Sequence, residues 1–167
     1  WWKFDKKLTD DMTYYSAMMG LIEGLKYGTT TYYDHQASAY ATEGSLDLIE
    51  SAVRHAGARA CLAYEVSDRD GIEHSKSGIE ENVRFLQKIQ KNDDNQIKGL
   101  FGLHAGYTLS QDTLETCAEY GKKLNAGFHI HVAESMADVS ESYRLYDMHV
   151  VERMEKAGIL GNKTIAA

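Results

Sequence analysis

Polar and apolar positions along the chain follow two alternating rhythms: a helical spacing of three to four residues, and a strand spacing of two. Tyr14, Met18, Leu21, Ile22 and Leu25 keep the helical spacing. Thr9 before Asp10 and Asp11 predicts that helix's N-terminal cap, with acids placed well against the dipole, and Gly28 predicts its end. Thr29 to Asp34, rich in β-branched and aromatic residues, predicts a strand. A polar loop, His35 to Gly44, leads to a helix capped by Ser45, carrying Leu46, Ile49 and Val53 and closed by Gly57. Arg59 to Tyr64 predicts the next strand, and Glu65 to Gly78 a longer loop. Ile79 to Gln90 then reads as amphipathic, with Val83, Leu86 and Ile89 on one side. After a polar loop at Asn92 to Asn95 come a strand, Ile97 to His104, and a helix capped by Ser110 that runs to Leu124. Gly127 to Ala133 predicts a strand, Asp147 to Ala157 a helix, and Lys163 to Ala167 the start of a further strand.

Helix and strand thus alternate, with strand starts roughly 30 to 40 residues apart, as in repeated βα units. Such units build a parallel sheet with right-handed crossovers. Five strands fit either a doubly wound open sheet or most of a (β/α)8 barrel. The phosphate-binding glycine fingerprint of dinucleotide folds follows none of the strands. Their carboxyl ends carry Asp34 and His35, Glu65, His104, and His131 with Glu134. Polar residues at successive strand ends favour the barrel, because its chemistry sits on that rim. The expected architecture is α/β: a partial parallel (β/α)8 TIM-type barrel, about strands two to six. The first residue is not Met and the last strand looks cut short, so the chain is expected to be an internal piece of a longer one.

Composition narrows the function. A chain of 167 residues, 43% hydrophobic and 26% charged, has the balance of one globular domain with a sizeable core. A net charge of −7 argues against nucleic-acid and anionic-membrane partners. No apolar run approaches the roughly 20 residues of a membrane span, and the first residues do not form a signal peptide. Cys61 and Cys117 are isolated, which fits neither a disulfide framework nor a cysteine zinc site. A reduced, cytoplasmic chain is the expectation.

The chemistry concentrates between Ala126 and Met136. Phe128, Ile130 and Val132 alternate with His129, His131 and Ala133, so one strand face is apolar and the other carries two imidazoles. His131 falls at the strand's carboxyl end, with Glu134 three residues on. An imidazole for a metal and a carboxylate for protons suit metal-assisted hydrolysis. The alternative is a pair of core histidines bonded to nearby backbone. His129, one layer deeper, reads as packing, and His104 as either a substrate contact or a cap on its own loop. Asp34 or His35 would line the pocket, depending on the strand's frame. The loop Ser67-Asp68-Arg69-Asp70-Gly71 lacks calcium-site spacing and reads as a solvated turn or an active-site loop.

Four segments together, Gly28-Thr29-Thr30-Thr31, His104-Ala105-Gly106-Tyr107-Thr108, His131-Val132-Ala133-Glu134 and Gly158-Ile159-Leu160-Gly161, resemble the amidohydrolase superfamily. The similar branch holds guanine, cytosine and thioadenosine deaminases and triazine hydrolases. Within it, Trp1-Trp2-Lys3 and Tyr64 to Gly71 are similar to an aminohydrolase associated with selenium metabolism. The resemblance covers the whole chain, residues 1–167, and implies a fragment of that family's catalytic barrel. It implies one divalent metal ion, zinc or iron, with His131 as a ligand, Glu134 as the proton-handling carboxylate and His104 as a substrate contact. It further implies hydrolytic deamination of a heterocyclic or amidine-type small molecule, and a homo-oligomer, in the complete protein. The family's remaining ligands would fall outside the chain, so the fragment is expected to be inactive and to hold metal weakly or not at all. Gly106 stands where many relatives have proline. Two other readings stay open: a metal-free enzyme using His131 and Glu134 as acid and base, and a non-catalytic binding barrel.

Overall fold

An apolar stripe behind a capped start favours a helix. The computed structural model describes residues 2–92 and 94–167, so Trp1 and Asp93, the latter in the loop predicted at 92–95, lie outside the described residues. A short helix α1 (Trp2–Asp5) precedes α2 (Asp10–Lys26), whose first turn is capped by Thr9 Oγ1 accepting from the Met12 amide at 3.3 Å. There follow β1 (Thr31–Gln36), α3 (Ser45–Ala56), β2 (Arg59–Tyr64) and α4 (Ile72–Gln90). The second half holds β3 (Ile97–Gly99), β4 (Phe101–Ala105), a 3-10 turn (Gly106–Thr108), α5 (Gln111–Lys123) and β5 (Phe128–His131). It closes with α6 (Met136–Tyr146), α7 (Val150–Lys156) and β6 (Ile165–Ala166).

The strands pair in parallel and in chain order, β1-β2-β3 and β4-β5-β6. The single strand expected over Ile97 to His104 is divided at Leu100, because its first half pairs with β2 and its second with β5. A parallel bridge between Val66 and Leu103 joins the two sheets into one surface. Asn82 of α4 fills the break. Its Oδ1 accepts from the amides of Tyr64 (3.0 Å) and Gly102 (3.1 Å), and its Nδ2 donates to the Tyr64 carbonyl (2.8 Å). A β-carbon on Gly102 would lie 2.1 Å from the Tyr64 carbonyl oxygen, so only glycine allows β4 this close to β2.

Three helix expectations are corrected. α4 begins at Ile72, seven residues earlier than its apolar stripe suggested, because its first two turns run over the strand ends and carry polar residues. Ser45 is the first residue of α3 rather than its cap, and its hydroxyl has no partner among the described residues. The buried Glu81 carboxylate of α4 caps α3 instead, accepting from the amides of Gly44 and Leu46 at 3.0 Å each, while Arg84 neutralises it. The helix expected over Asp147 to Ala157 is α7, cut at its front by Asp147 in the left-handed region (φ 51°), with α6 ahead of it.

The buried apolar clusters lie on the helix-facing side. Leu46, Ile49, Val53, Leu62, Phe85 and Ile97 form one cluster, and Phe101, Leu103, Leu114, Phe128, Ile130 and Met154 another. Ile89 packs against both, so α4 joins the two halves. The other face is left to the polar side chains.

Candidate functional site

Period two along each strand decides what that other face carries. On β1, Tyr32, Asp34 and Gln36 line a cavity beneath α2, which puts Tyr33 and His35 on the opposite face. Asp34 therefore leaves the candidate pocket and His35 enters it. On β5, Phe128 and Ile130 join the core, and His129 and His131 share the face with His35. The His35 and His129 rings stack at 4.3 Å between centroids, His35 and His131 lie 5.1 Å apart, and His104 meets His131 edge-on at 6.0 Å.

Glu65, just past β2, completes the cluster. One ligand atom each from His35, Glu65 and His131 lies within 4.8 Å of the other two. The Glu65 carboxylate accepts from Arg69 at 2.5 Å, and His104 Nε2 sits 3.9 Å from the same oxygen. His104 Nδ1 is 2.8 Å from Thr108 Oγ1, so its own 3-10 turn orients it. Glu134 stands on the exposed loop after β5, near enough to Glu65 for its charge to raise that carboxyl's pKa.

Crowding of like groups away from water sets the electrostatics. Burial, then the His129, His131 and His104 imidazoles, lowers the His35 pKa to about 2. Burial, followed by Arg69 and His131, lowers His104 to about 4. Burial lifts Glu65 to about 7 against the opposing pull of Arg69. The ring nitrogens of His35 are both buried without a hydrogen-bond partner among the described residues. Neutral imidazoles offering free lone pairs beside a carboxylate form a donor set suited to a divalent transition metal.

Sequence reasoning brought out His131, His104 and Glu134, and the structure gathers both imidazoles at one end of the sheet. It left His35 undecided and gave Glu65 and Arg69 no role. The available signal was position: Glu65 directly follows β2, and His35 follows the strand expected to end at Asp34. The loop at Ser67 to Gly71 reaches the site through Arg69, while Asp68 accepts from Ser110 and Thr113 and ties the loop to α5. A hollow of about 860 Å³ opens at the opposite end, lined by Tyr33, Cys61, Lys98 and Gly127 among others, with no histidine or carboxylate among the described residues.

Parallel strands in chain order, with histidines and a carboxylate at their carboxyl ends, define an α/β protein with a polar cluster on one rim. The chain belongs to the amidohydrolase family, whose model matches residues 1–167. It is 32% identical over 166 residues to the 5'-deoxyadenosine deaminase of Methanobrevibacter smithii, covering 99% of this chain and 37% of that protein. It is 33% identical over 172 residues to the 5-methylthioadenosine/S-adenosylhomocysteine deaminase of Caldicellulosiruptor saccharolyticus, again covering 99% and 37%. An adenosine deaminase from Xanthomonas campestris with bound zinc superposes with a TM-score of 0.84 at 20% identity, covering 99% of this chain and 36% of that one. Guanine deaminase from C. acetobutylicum, with guanine in its active site, gives 0.80 at 16% identity, covering 96% and 39%. The chain therefore spans little more than a third of the length of these relatives.

Proposed function

We propose that the chain is the central part of a (β/α)8-barrel aminohydrolase, one domain over residues 1–167, that removes an amino group hydrolytically from a small heterocyclic or amidine-type molecule. The observation that carries this reading is the convergence of His35, Glu65 and His131. On a flat sheet, strands three places apart stand about 14 Å from one another. β1 and β5 are that far apart in pairing order, yet their histidine rings stack at 4.3 Å. A sheet bent this sharply is on course to close, which supports the barrel. The relatives' names, all deaminases of adenosine derivatives among those given above by sequence, favour an aminopurine among the possible heterocycles.

The residues fit one divalent ion, zinc or iron, held by His131 with His35 and Glu65. When bound, such an ion acidifies a water molecule from a pKa of about 15.7 toward roughly 7. The chain's own groups do the rest. His131 supplies a lone pair from the carboxyl end of β5. Glu134, on an exposed loop, takes a proton from the attacking water and delivers protons to the ring nitrogen and the departing amine. His104, braced by Thr108, contacts the substrate. Arg69 keeps part of Glu65 ionised.

The test is elemental analysis and turnover of the complete enzyme. It should carry about one divalent ion per chain, and His131→Ala should lose both ion and activity. Glu134→Gln should keep the ion while turnover falls by ~100-fold or more. An intact enzyme without metal would point instead to acid–base chemistry by His131 and Glu134, or to a binding protein. This chain alone should show no turnover.

A further inference from the structure

Asp138 is fully buried in the first turn of α6, yet its carboxylate does not serve its own helix. Oδ1 accepts from the Tyr107 amide at 2.8 Å, and Oδ2 accepts from the Ala133 amide at 2.8 Å. Those amides belong to two different loops of the candidate site. Ala133 immediately precedes Glu134 and sits at φ 57°, a left-handed conformation that side chains other than glycine rarely adopt. Tyr107 is the middle of the 3-10 turn whose Thr108 braces His104.

The surroundings are built for this contact. A β-carbon on Gly106 would lie 2.8 Å from Asp138 Oδ1 and 2.6 Å from Val150 Cγ2, so the glycine lets the turn come this close to both side chains as they stand. From the other side Arg153, also buried, donates to the carbonyls of Gly106 (2.7 Å) and Leu109 (2.9 Å) and stacks on Tyr146. The turn's amide is thus held by an anion and its carbonyls by a cation. A buried carboxylate loses hydration and is compensated by charge-assisted bonds, which among the described residues run to the two loops.

We infer that Asp138 is a positioning residue: one carboxylate locks the loop bearing Glu134 to the turn that orients His104. Its effect on turnover rests on the aminohydrolase reading above; the lock itself does not.

Amide exchange of this chain, followed by NMR, tests the lock. Asparagine keeps one acceptor oxygen, so Asp138→Asn should leave Ala133 or Tyr107 exchanging about 10-fold faster or more. Leu103 and Ile130, in the adjoining strands, should stay within about 2-fold. Unchanged protection at both loop amides overturns the inference, and so does an equal loss at Leu103 and Ile130. If that variant does not fold, the double variant Ala133→Gly with Asp138→Asn carries the same comparison at Tyr107, because glycine adopts the left-handed backbone unaided. In the complete enzyme, Asp138→Asn should lower kcat about 10- to 100-fold with KM within about 3-fold, and adding Ala133→Gly should recover part of it. Freed amides with an unchanged kcat would also overturn the positioning role. An inactive wild-type enzyme would sink the aminohydrolase reading and leave the exchange result standing.

Discussion

His35 sits where an imidazole is poorly served by its surroundings. Both of its nitrogens are buried without a partner among the described residues, and stacking on His129 at 4.3 Å returns only part of what hydration supplied. A buried polar group in that condition costs about 1–3 kcal/mol. His35→Phe keeps a ring over His129 and removes the orphaned atoms, so stability should rise by about that amount in thermal melts of the metal-free protein. The same variant should bind zinc or cobalt at least about 10-fold more weakly by equilibrium dialysis, because one lone pair is gone. Lower stability with unchanged affinity would show that His35 is ordinary packing. The sequence gives little warning of this residue. Thr31 to Gln36 has polar or aromatic groups on both faces, so periodicity cannot say which of Asp34 and His35 points inward. Phe-His-Ile-His at 128–131 has one greasy face and one polar face, and its frame is legible at once.

Among the elements, α4 does most to hold the halves together. Asn82 supplies hydrogen bonds that strand pairing would make if β2 and β4 ran in register. Asn82→Ala would leave the Tyr64 amide and carbonyl and the Gly102 amide without this partner inside the protein. At about 1–3 kcal/mol for each unsatisfied group, the loss should reach at least about 3 kcal/mol in denaturant unfolding. A loss under about 1 kcal/mol would mean that the backbone re-pairs once the side chain is gone. Helix positions were readable from apolar spacing, and caps such as Thr9, Gly57 and Ser110 from local chemistry. The Glu81 cap on α3 was not, since donor and acceptor lie 35 and 37 residues apart and only folding brings them together.

For the whole molecule, the buried ionisable groups pull stability in opposing directions. The folded-state pKa values of His35, His104 and His129 are lowered, so from pH 6.5 downward the unfolded chain takes protons that the folded one refuses. Asp34 and Glu65 are raised, to about 6 and about 7, so the folded chain keeps protons that the unfolded one releases above roughly pH 4. Around pH 5 three histidines oppose two carboxyls. Stability of the metal-free protein should therefore fall gently between pH 6.5 and 4.5, by at most one proton's slope of ~1.4 kcal/mol per unit. Below roughly pH 4 the carboxyl contribution fades and the fall should steepen. Unfolding curves in chelator from pH 3.5 to 8 will check this, and a stability that rises on acidification from 6.5 to 4.5 would contradict the balance. By itself, the sequence determined what is local: the alternation of helix and strand, the parallel order that short crossovers impose, and the imidazole face at His129 and His131. The tertiary structure decided the rest. Bending of the sheet stacked His35 on His129, brought Glu65 and Arg69 to the same place, and set Asp138 between two loops. Of those contacts, His35 with His129, His35 with Glu65 and Tyr107 with Asp138 join residues about 30 to 100 positions apart, where chain connectivity imposes no distance and only packing of the outer helices does.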